Sequence, residues 1–198
     1  GGERVTRTYY DALNRPFIVV RNFVGDINSN TPPSYNANNP DQNIGTKTYY
    51  DAAGRAYRTE DLTTGRSDWT CYDVQGRVTK NVTNATVGDP CGLGAHSGNA
   101  DENLIREYRY DSQNRQIAVI ERVEGGERVT RTYYDATGRR FATVTNLVGQ
   151  GVEVNTLPTV NPAKTDENVI SRYEYDVLGR VVKTVQGSGG ATERISVS

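Results

Sequence analysis

The chain has 198 residues, of which 35% are hydrophobic and 24% are charged, with a formal net charge of −1 and a pI near 5.9. This balance lacks the basic excess of nucleic-acid-binding proteins, so nucleic acid is not an expected partner. No apolar run approaches the roughly 20 residues of a membrane-spanning helix, so no membrane span is expected. The mean hydropathy of −0.69 favours a polar, repetitive sheet over a domain with a thick core.

The sequence repeats itself. The run GGERVTRTYYDA occupies positions 1–12 and returns unchanged at 125–136, and half of that offset is 62 residues. Related segments open at positions 63 and 187. Because the chain lacks Met and both of its ends fall inside a repeat, we expect a section of a longer protein. We predict one continuous array with repeat 1 at 1–62, repeat 2 at 63–124, repeat 3 at 125–186 and the start of repeat 4 at 187–198.

In chain order, the first elements are a predicted strand over 1–10, a turn over 11–15 and a strand that leaves the turn through Pro16. The turn carries the motif Tyr-Asp-x-x-(Gly/Asn)-Arg. Asp at the start of such a turn accepts backbone N–H bonds, and Gly or Asn at its fourth position tolerates positive φ. The flanking runs are rich in β-branched and aromatic residues, which predicts strands.

This turn motif occurs six times, and long and short connections alternate between the copies. Stacked strands would align the Asp, Arg and Tyr side chains into rows, in which each cross-strand pair contributes about 0.2 to 1 kcal/mol. We assign them a structural role. The motif residues are Tyr10, Asp11, Asn14, Arg15; Tyr50, Asp51, Gly54, Arg55; Tyr72, Asp73, Gly76, Arg77; Tyr110, Asp111, Asn114, Arg115; Tyr134, Asp135, Gly138, Arg139; and Tyr175, Asp176, Gly179, Arg180.

The long connections are predicted to be three irregular arms with constant ends. The arms open at Asn22, Asn84 and Asn146, each seven residues after a motif Arg. They close with Asp-x-Asn runs that begin nine residues before the next motif Tyr and end at Asn43, Asn103 and Asn168. Constant ends around variable middles predict arm bases that pack alike in every repeat. The Asp-x-Asn runs favour turn capping over cation binding. The first long connection is predicted over 22–45, and from the opening to the closing asparagines we name arm 1 (22–43), arm 2 (84–103) and arm 3 (146–168).

The remaining reactive residues do not form a recognisable catalytic or metal site. Cys71 and Cys91 lie in repeat 2, where they are either a disulfide that fixes arm 2 to the sheet or two unpaired small residues. His96 is the single histidine, and two Cys with one His fall short of a four-ligand metal site. Asp26-x-Asn28-x-Asn30 resembles the start of a calcium loop but lacks its later ligands. We expect no catalytic residue, no cofactor and no metal.

The Tyr-Asp motif, which occurs six times, resembles the YD repeat of the RHS family. This family includes bacterial RHS and wall-associated proteins, insecticidal toxin-complex components and teneurins. The resemblance covers nearly the whole chain. It implies a long antiparallel β-sheet that winds spirally and in several members closes into a hollow shell around a cargo. The family's self-cleaving region and variable C-terminal toxin have no counterpart in these 198 residues.

We therefore predict an all-β fold, a repetitive antiparallel β-hairpin sheet of spiralling, solenoid-like YD repeats with three long irregular arms. Four strands per repeat at about 4.8 Å each would advance the array by roughly 19 Å. The leading functional hypothesis is a non-enzymatic extracellular or cell-surface protein that stacks with itself into a filament, tube or stalk. The alternatives are a fragment of an RHS-type shell that encloses a toxin and an adhesin that binds polysaccharide or partner cells.

Overall fold

The structure, a computed structural model, describes residues 4–94, 99–187 and 194–197, so His96 lies outside the described residues. Within the described residues, thirteen strands form an antiparallel sheet whose strand order is the order of the sequence. The strands are β1 (Arg7–Tyr10), β2 (Pro16–Arg21), β3 (Ile44–Tyr50), β4 (Ala56–Asp61), β5 (Ser67–Tyr72), β6 (Val78–Ala85), β7 (Leu104–Tyr110), β8 (Gln116–Val123), β9 (Gly126–Tyr134), β10 (Arg140–Thr145), β11 (Val169–Tyr175), β12 (Val181–Gly187) and β13 (Arg194–Val197).

This architecture confirms the predicted fold class. Four strands fall in each of the three predicted repeats, with β12 ending one residue beyond repeat 3. One short 3₁₀ helix, Pro90–Gly92, lies in arm 2, and no described residue belongs to a helix long and apolar enough to cross a membrane. The boundaries of the repeats themselves stay a prediction.

The chain divides into two compact units, Gly1–Ile105 and Arg106–Ser198, and each has its own core. In the N-terminal unit, Tyr9, Ile18 and Val20 form one cluster and Val82, Ala85 and Ile105 form another. In the C-terminal unit, seven buried residues pack together, and arm 3 contributes the partly buried Val152, Leu157 and Val160 to them. These small clusters fit the polar composition, because each lies under an arm rather than at the centre of a thick domain.

The identical opening run of repeats 1 and 3 forms strands of different length. In repeat 3 it forms the nine-residue strand β9, whereas in repeat 1 the strand begins only at Arg7. β9 pairs with β8 on one side and with β10 on the other, but β1 pairs only with β2 within the described sheet. The prediction of a strand over 1–10 is therefore wrong for positions 4–6, because backbone pairing rather than sequence sets the strand length, and positions 1–3 lie outside the described residues.

Candidate functional site: turns, rows and arms

All six Tyr-Asp turns adopt the same backbone geometry. The Asp N–H donates to the carbonyl oxygen of the motif Arg at 2.8 to 3.0 Å, and the fourth residue donates back to the Asp carbonyl. The fourth residue has positive φ in every copy, from 59° at Asn14 to 84° at Gly138. Where the strand pairing is described, the register shifts by one residue beside the turn, as at Tyr9/Tyr10 and Tyr49/Tyr50. The restriction to Gly and Asn is thus explained by the backbone of a bulged turn.

The motif Asp joins the two ends of each turn. In the first copy, Asp11 Oδ1 accepts the N–H groups of Leu13 and Arg15, both at 2.9 Å, and its Oδ2 accepts Arg15 Nε at 2.8 Å. The same carboxylate–guanidinium contact recurs in all six turns at 2.6 to 2.9 Å. One side chain therefore closes the turn and orients the arginine.

These contacts hold all six Asp side chains in the charged form, since the pKa of each lies below its ordinary value of 3.8. At Asp11 and Asp176 the largest cause is the backbone N–H of the motif Arg, followed by its guanidinium. At Asp135 the hydroxyl of Thr137 is the largest cause. A carboxylate with a lowered pKa is a poor proton donor at neutral pH, so these residues do not suit general acid catalysis.

Four of the oriented arginines are described lying over the tyrosine of the next motif along the chain. Arg15 lies 4.3 Å from the ring centroid of Tyr50, and Arg55 lies 4.4 Å from that of Tyr72. In the C-terminal unit, Arg115 covers Tyr134 at 4.4 Å and Arg139 covers Tyr175 at 5.1 Å. Such cation–π contacts contribute about 0.5 to 1 kcal/mol at exposed sites.

The hydroxyl of each covered tyrosine completes the contact. Tyr50 donates to the carbonyl oxygen of Pro16 at 2.7 Å, the residue directly after the arginine that covers the ring. Three equivalents follow the same rule: Tyr72 to Ala56, Tyr134 to Gln116 and Tyr175 to Arg140. The motif thus links successive hairpins into a row. It leaves one face of each of these rings under a guanidinium, which reduces the surface on which a sugar could stack.

The three arms are closed by pairs of asparagines, which we call the Asn clasps. In arm 3, the N–H of Asn168 donates to the carbonyl oxygen of Asn146, and Asn146 Nδ2 donates to that of Asp166. Asn168 Oδ1 accepts the N–H of Val148, and its Nδ2 donates to the carbonyl oxygens of Val148 and Thr159.

The other two arms repeat this arrangement. The N–H of Asn43 donates to the carbonyl oxygen of Asn22, and the N–H of Asn103 donates to that of Asn84. The six clasp residues all have φ between 48° and 53°, a region that Asn tolerates better than other non-glycine residues. The arm bases therefore share one geometry, and the Asp-x-Asn runs act as turn elements.

In the calcium-loop-like run of arm 1, Asp26 Oδ1 accepts the N–H of Asn28 at 2.9 Å. No group of three or more His, Cys, Asp or Glu among the described residues could hold a metal ion.

One strand position anchors the arm in each repeat. In repeats 1 and 3 it is a buried tyrosine: Tyr9 packs with Phe23 of arm 1, and the Tyr133 hydroxyl accepts a bond from Gln150 of arm 3 at 2.9 Å. In repeat 2 the same position is Cys71, and it forms a disulfide with Cys91 of arm 2. Lys80 also donates to the carbonyl oxygens of Cys91 and Leu93. A covalent bond thus replaces the aromatic anchor of the other two arms.

Sequence reasoning missed a second anchor, two residues earlier on the same strand face. Arg131 is 3% exposed, lies over Tyr133, and donates to the carbonyl oxygens of Val152 in arm 3 and Ile117 in β8. Burial lowers the pKa of its guanidinium. The equivalent Arg7 donates to the carbonyl oxygen of Asp26 in arm 1 at 2.8 Å. The identity of Arg7 and Arg131 in the repeated run was the available signal.

No protein-family model matches the chain, and no curated protein matches it. Among solved structures, the crystal structure of TcdB2-TccC3 matches at a TM-score of 0.56 with 17% sequence identity, and the match covers 94% of this chain and 8% of that one. A Photorhabdus luminescens Tc holotoxin pore matches at the same TM-score and identity, over 95% of this chain and 8% of that one.

The fold is RHS-like. At 17% identity the likeness extends to the fold alone, and membership of the RHS family stays a prediction. The chain spans 8% of the length of each of these two chains. What those proteins assemble into is therefore a property of the larger chains, and bears on this one only as a proposal.

Proposed function

We propose that this chain is a section of a non-enzymatic structural protein, located outside the cell or on its surface, which stacks with itself into a filament, tube or stalk. The observation that carries this proposal is the row of motif side chains. Four arginine–tyrosine contacts of the motif join one hairpin to the next through the same groups, in repeats whose arms differ. Such a contact suits an array of many like units.

The chemistry of the repeated residues supports a structural rather than a catalytic role. The Asp carboxylates bind arginine and backbone N–H groups, and the hydroxyls of the four covered tyrosines donate to backbone carbonyls. The disulfide of repeat 2 fits an oxidising location, because such bonds persist outside the reducing cytosol. These contacts hold strands and arms in place.

A second candidate function is a segment of a hollow RHS-type shell that encloses a toxin. The fold likeness to the TcdB2-TccC3 structure favours it. The two candidates differ in curvature, because a shell must bend and end whereas a filament needs each unit to stack like the last.

Electron microscopy of the native, unfragmented material tests the proposal. A filament built from four-strand repeats should give an axial spacing near 19 Å or a simple multiple of it, from about 4.8 Å per strand. Closed hollow particles of constant size would contradict the filament and support the shell. Compact monomers at every concentration would contradict both.

A further inference from the structure

The arms and the strands carry opposite charge. Arms 1 to 3 contain eight of the 24 carboxylates of the chain but one of its 23 basic side chains, Lys164. The rest of the chain is correspondingly basic, although the whole has a net charge of −1. Two copies therefore repel each other weakly through net charge, while an acidic arm of one copy attracts the basic strands of another.

One contact inside the chain shows how an arm and a strand interact. Arg66, directly before β5, pairs with Asp101 at the end of arm 2, at 3.2 Å. The 62-residue period places Arg4 and Arg128 at the equivalent position of repeats 1 and 3, and Asp41 and Asp166 begin the closing runs of their arms. In the described parts of the chain, these four side chains are exposed and make no ion pair.

The arginine near the start of the first strand of a repeat and the aspartate that closes its arm occur at the same edge of the sheet. Arg128 lies near the start of β9, opposite Glu121 of β8 and two residues before Thr130, which pairs with Thr145, and arm 3 begins directly after Thr145. The six Tyr-Asp turns lie at the other ends of the strands. The arm edge of repeat 3 therefore carries an exposed cation, Arg128, and an exposed anion, Asp166, whose nearby charge is that of Lys164. Such a surface is self-complementary, because a two-fold axis brings each charge of one copy to its opposite in the other.

We propose that a second copy of this chain binds along the arm edge, with Arg4 and Arg128 of one copy paired to the arm carboxylates Asp41 and Asp166 of the other. The pairing builds on the proposed structural role by adding lateral contacts to axial stacking. Strand stacking depends on backbone hydrogen bonds and apolar contacts, whereas this lateral contact is ionic. Salt therefore distinguishes the two kinds of contact: it should weaken the lateral contact more than strand stacking, because charges on exposed surfaces are screened over about 10 Å at 0.1 M ionic strength.

Charge reversal tests the pairing on the full 198-residue chain. An arm variant carries Asp41→Lys and Asp166→Lys, and a strand variant carries Arg4→Glu and Arg128→Glu. Sedimentation velocity of the wild type should show association that weakens about tenfold between low and high salt. Each variant alone should fail to associate, since its arm edge then carries one sign of charge. An equimolar mixture of the two should associate again.

The control variant Gln75→Lys with Gln113→Lys adds positive charge at the turn edge and should associate like the wild type. If a reversed variant does not fold by circular dichroism, the neutral pairs Asp41→Asn with Asp166→Asn and Arg4→Gln with Arg128→Gln should each weaken association. The pairing would be contradicted if association changed neither with salt nor with charge reversal. It would also be contradicted if the mixture of folded variants stayed monomeric. Dimers that dissociate in high salt, without elongated particles, would support the ionic pairing and contradict the filament.

Discussion

Arg15 lies over the ring of Tyr50, with its guanidinium carbon 4.3 Å from the centroid, while Asp11 Oδ2 contacts Nη2 of the same guanidinium at 2.7 Å. The arginine is thus a shared element of two motifs that are separated by the whole of arm 1. Its planar guanidinium can bind a carboxylate and stack on an aromatic face together, which a lysine ammonium cannot do as well. This shared use explains why the position is Arg in the four copies whose ring contact is described.

The first prediction concerns this double contact. Arg115→Lys should lower the free energy of unfolding by about 1 kcal/mol, because it weakens the stacking on Tyr134 and the paired contact to Asp111. Urea unfolding followed by circular dichroism measures the change. Arg180→Lys is the matched control, since the Arg180 side chain is 74% exposed and covers no ring among the described residues. Arg180→Lys should lower the free energy of unfolding by less than half as much. Equal decreases for the two variants would show that stacking on the ring does not stabilise the fold.

The second prediction is acid sensitivity. The pKa of each motif Asp is lowered in the folded chain, so folding favours the charged form and binds fewer protons than the unfolded chain does. The resulting stability is complete well above the ordinary value of 3.8 and is lost as the pH falls through 3.8 to the lowered values. The unfolding temperature should therefore be level from about pH 7 to 5 and fall below pH 4.

Asp135→Asn tests the source of this acid sensitivity, because an amide keeps the turn shape but has no proton to gain. The variant should be less stable than the wild type at pH 7, and the difference should shrink as the pH falls toward 3. A constant difference across that range would assign the acid loss to other groups.

The third prediction concerns the disulfide of repeat 2. Reduction, or Cys71→Ser with Cys91→Ser, should cost about 3 kcal/mol, the usual effect of opening a loop of 20 residues. Protease should then cut within 84–103 faster, while cleavage within arms 1 and 3 stays unchanged, because those arms are anchored by tyrosines. Mass spectrometry without reduction should show the linked peptide two hydrogens lighter. Full-mass peptides in fresh material would show that the bond does not form.

The sequence was sufficient for the turns but not for the contacts between them. Each turn is local, so Asp and Gly or Asn at a constant spacing predict its backbone. The contact of Arg15 with Tyr50 depends on strand pairing across an arm, which spacing alone does not reveal. Likewise Arg7 is partly exposed and Arg131 is buried, although the surrounding run is identical, because arm 3 places Val152 and Leu157 over repeat 3.

The fourth prediction concerns the Asn clasp of arm 3. Asn168 is 6% exposed, has φ of 50° and uses both atoms of its amide, so Asn168→Ala should destabilise the chain by about 2 to 3 kcal/mol. Asn168→Gly keeps the backbone conformation and loses only the amide, so it should fall between Ala and the wild type. Urea unfolding gives the energies, and protease cutting within 149–167 reports release of the arm. If Asn168→Gly is as stable as the wild type, the clasp depends on the positive φ alone. If Asn168→Ala is as stable as the wild type, the Asn168 clasp does not stabilise arm 3.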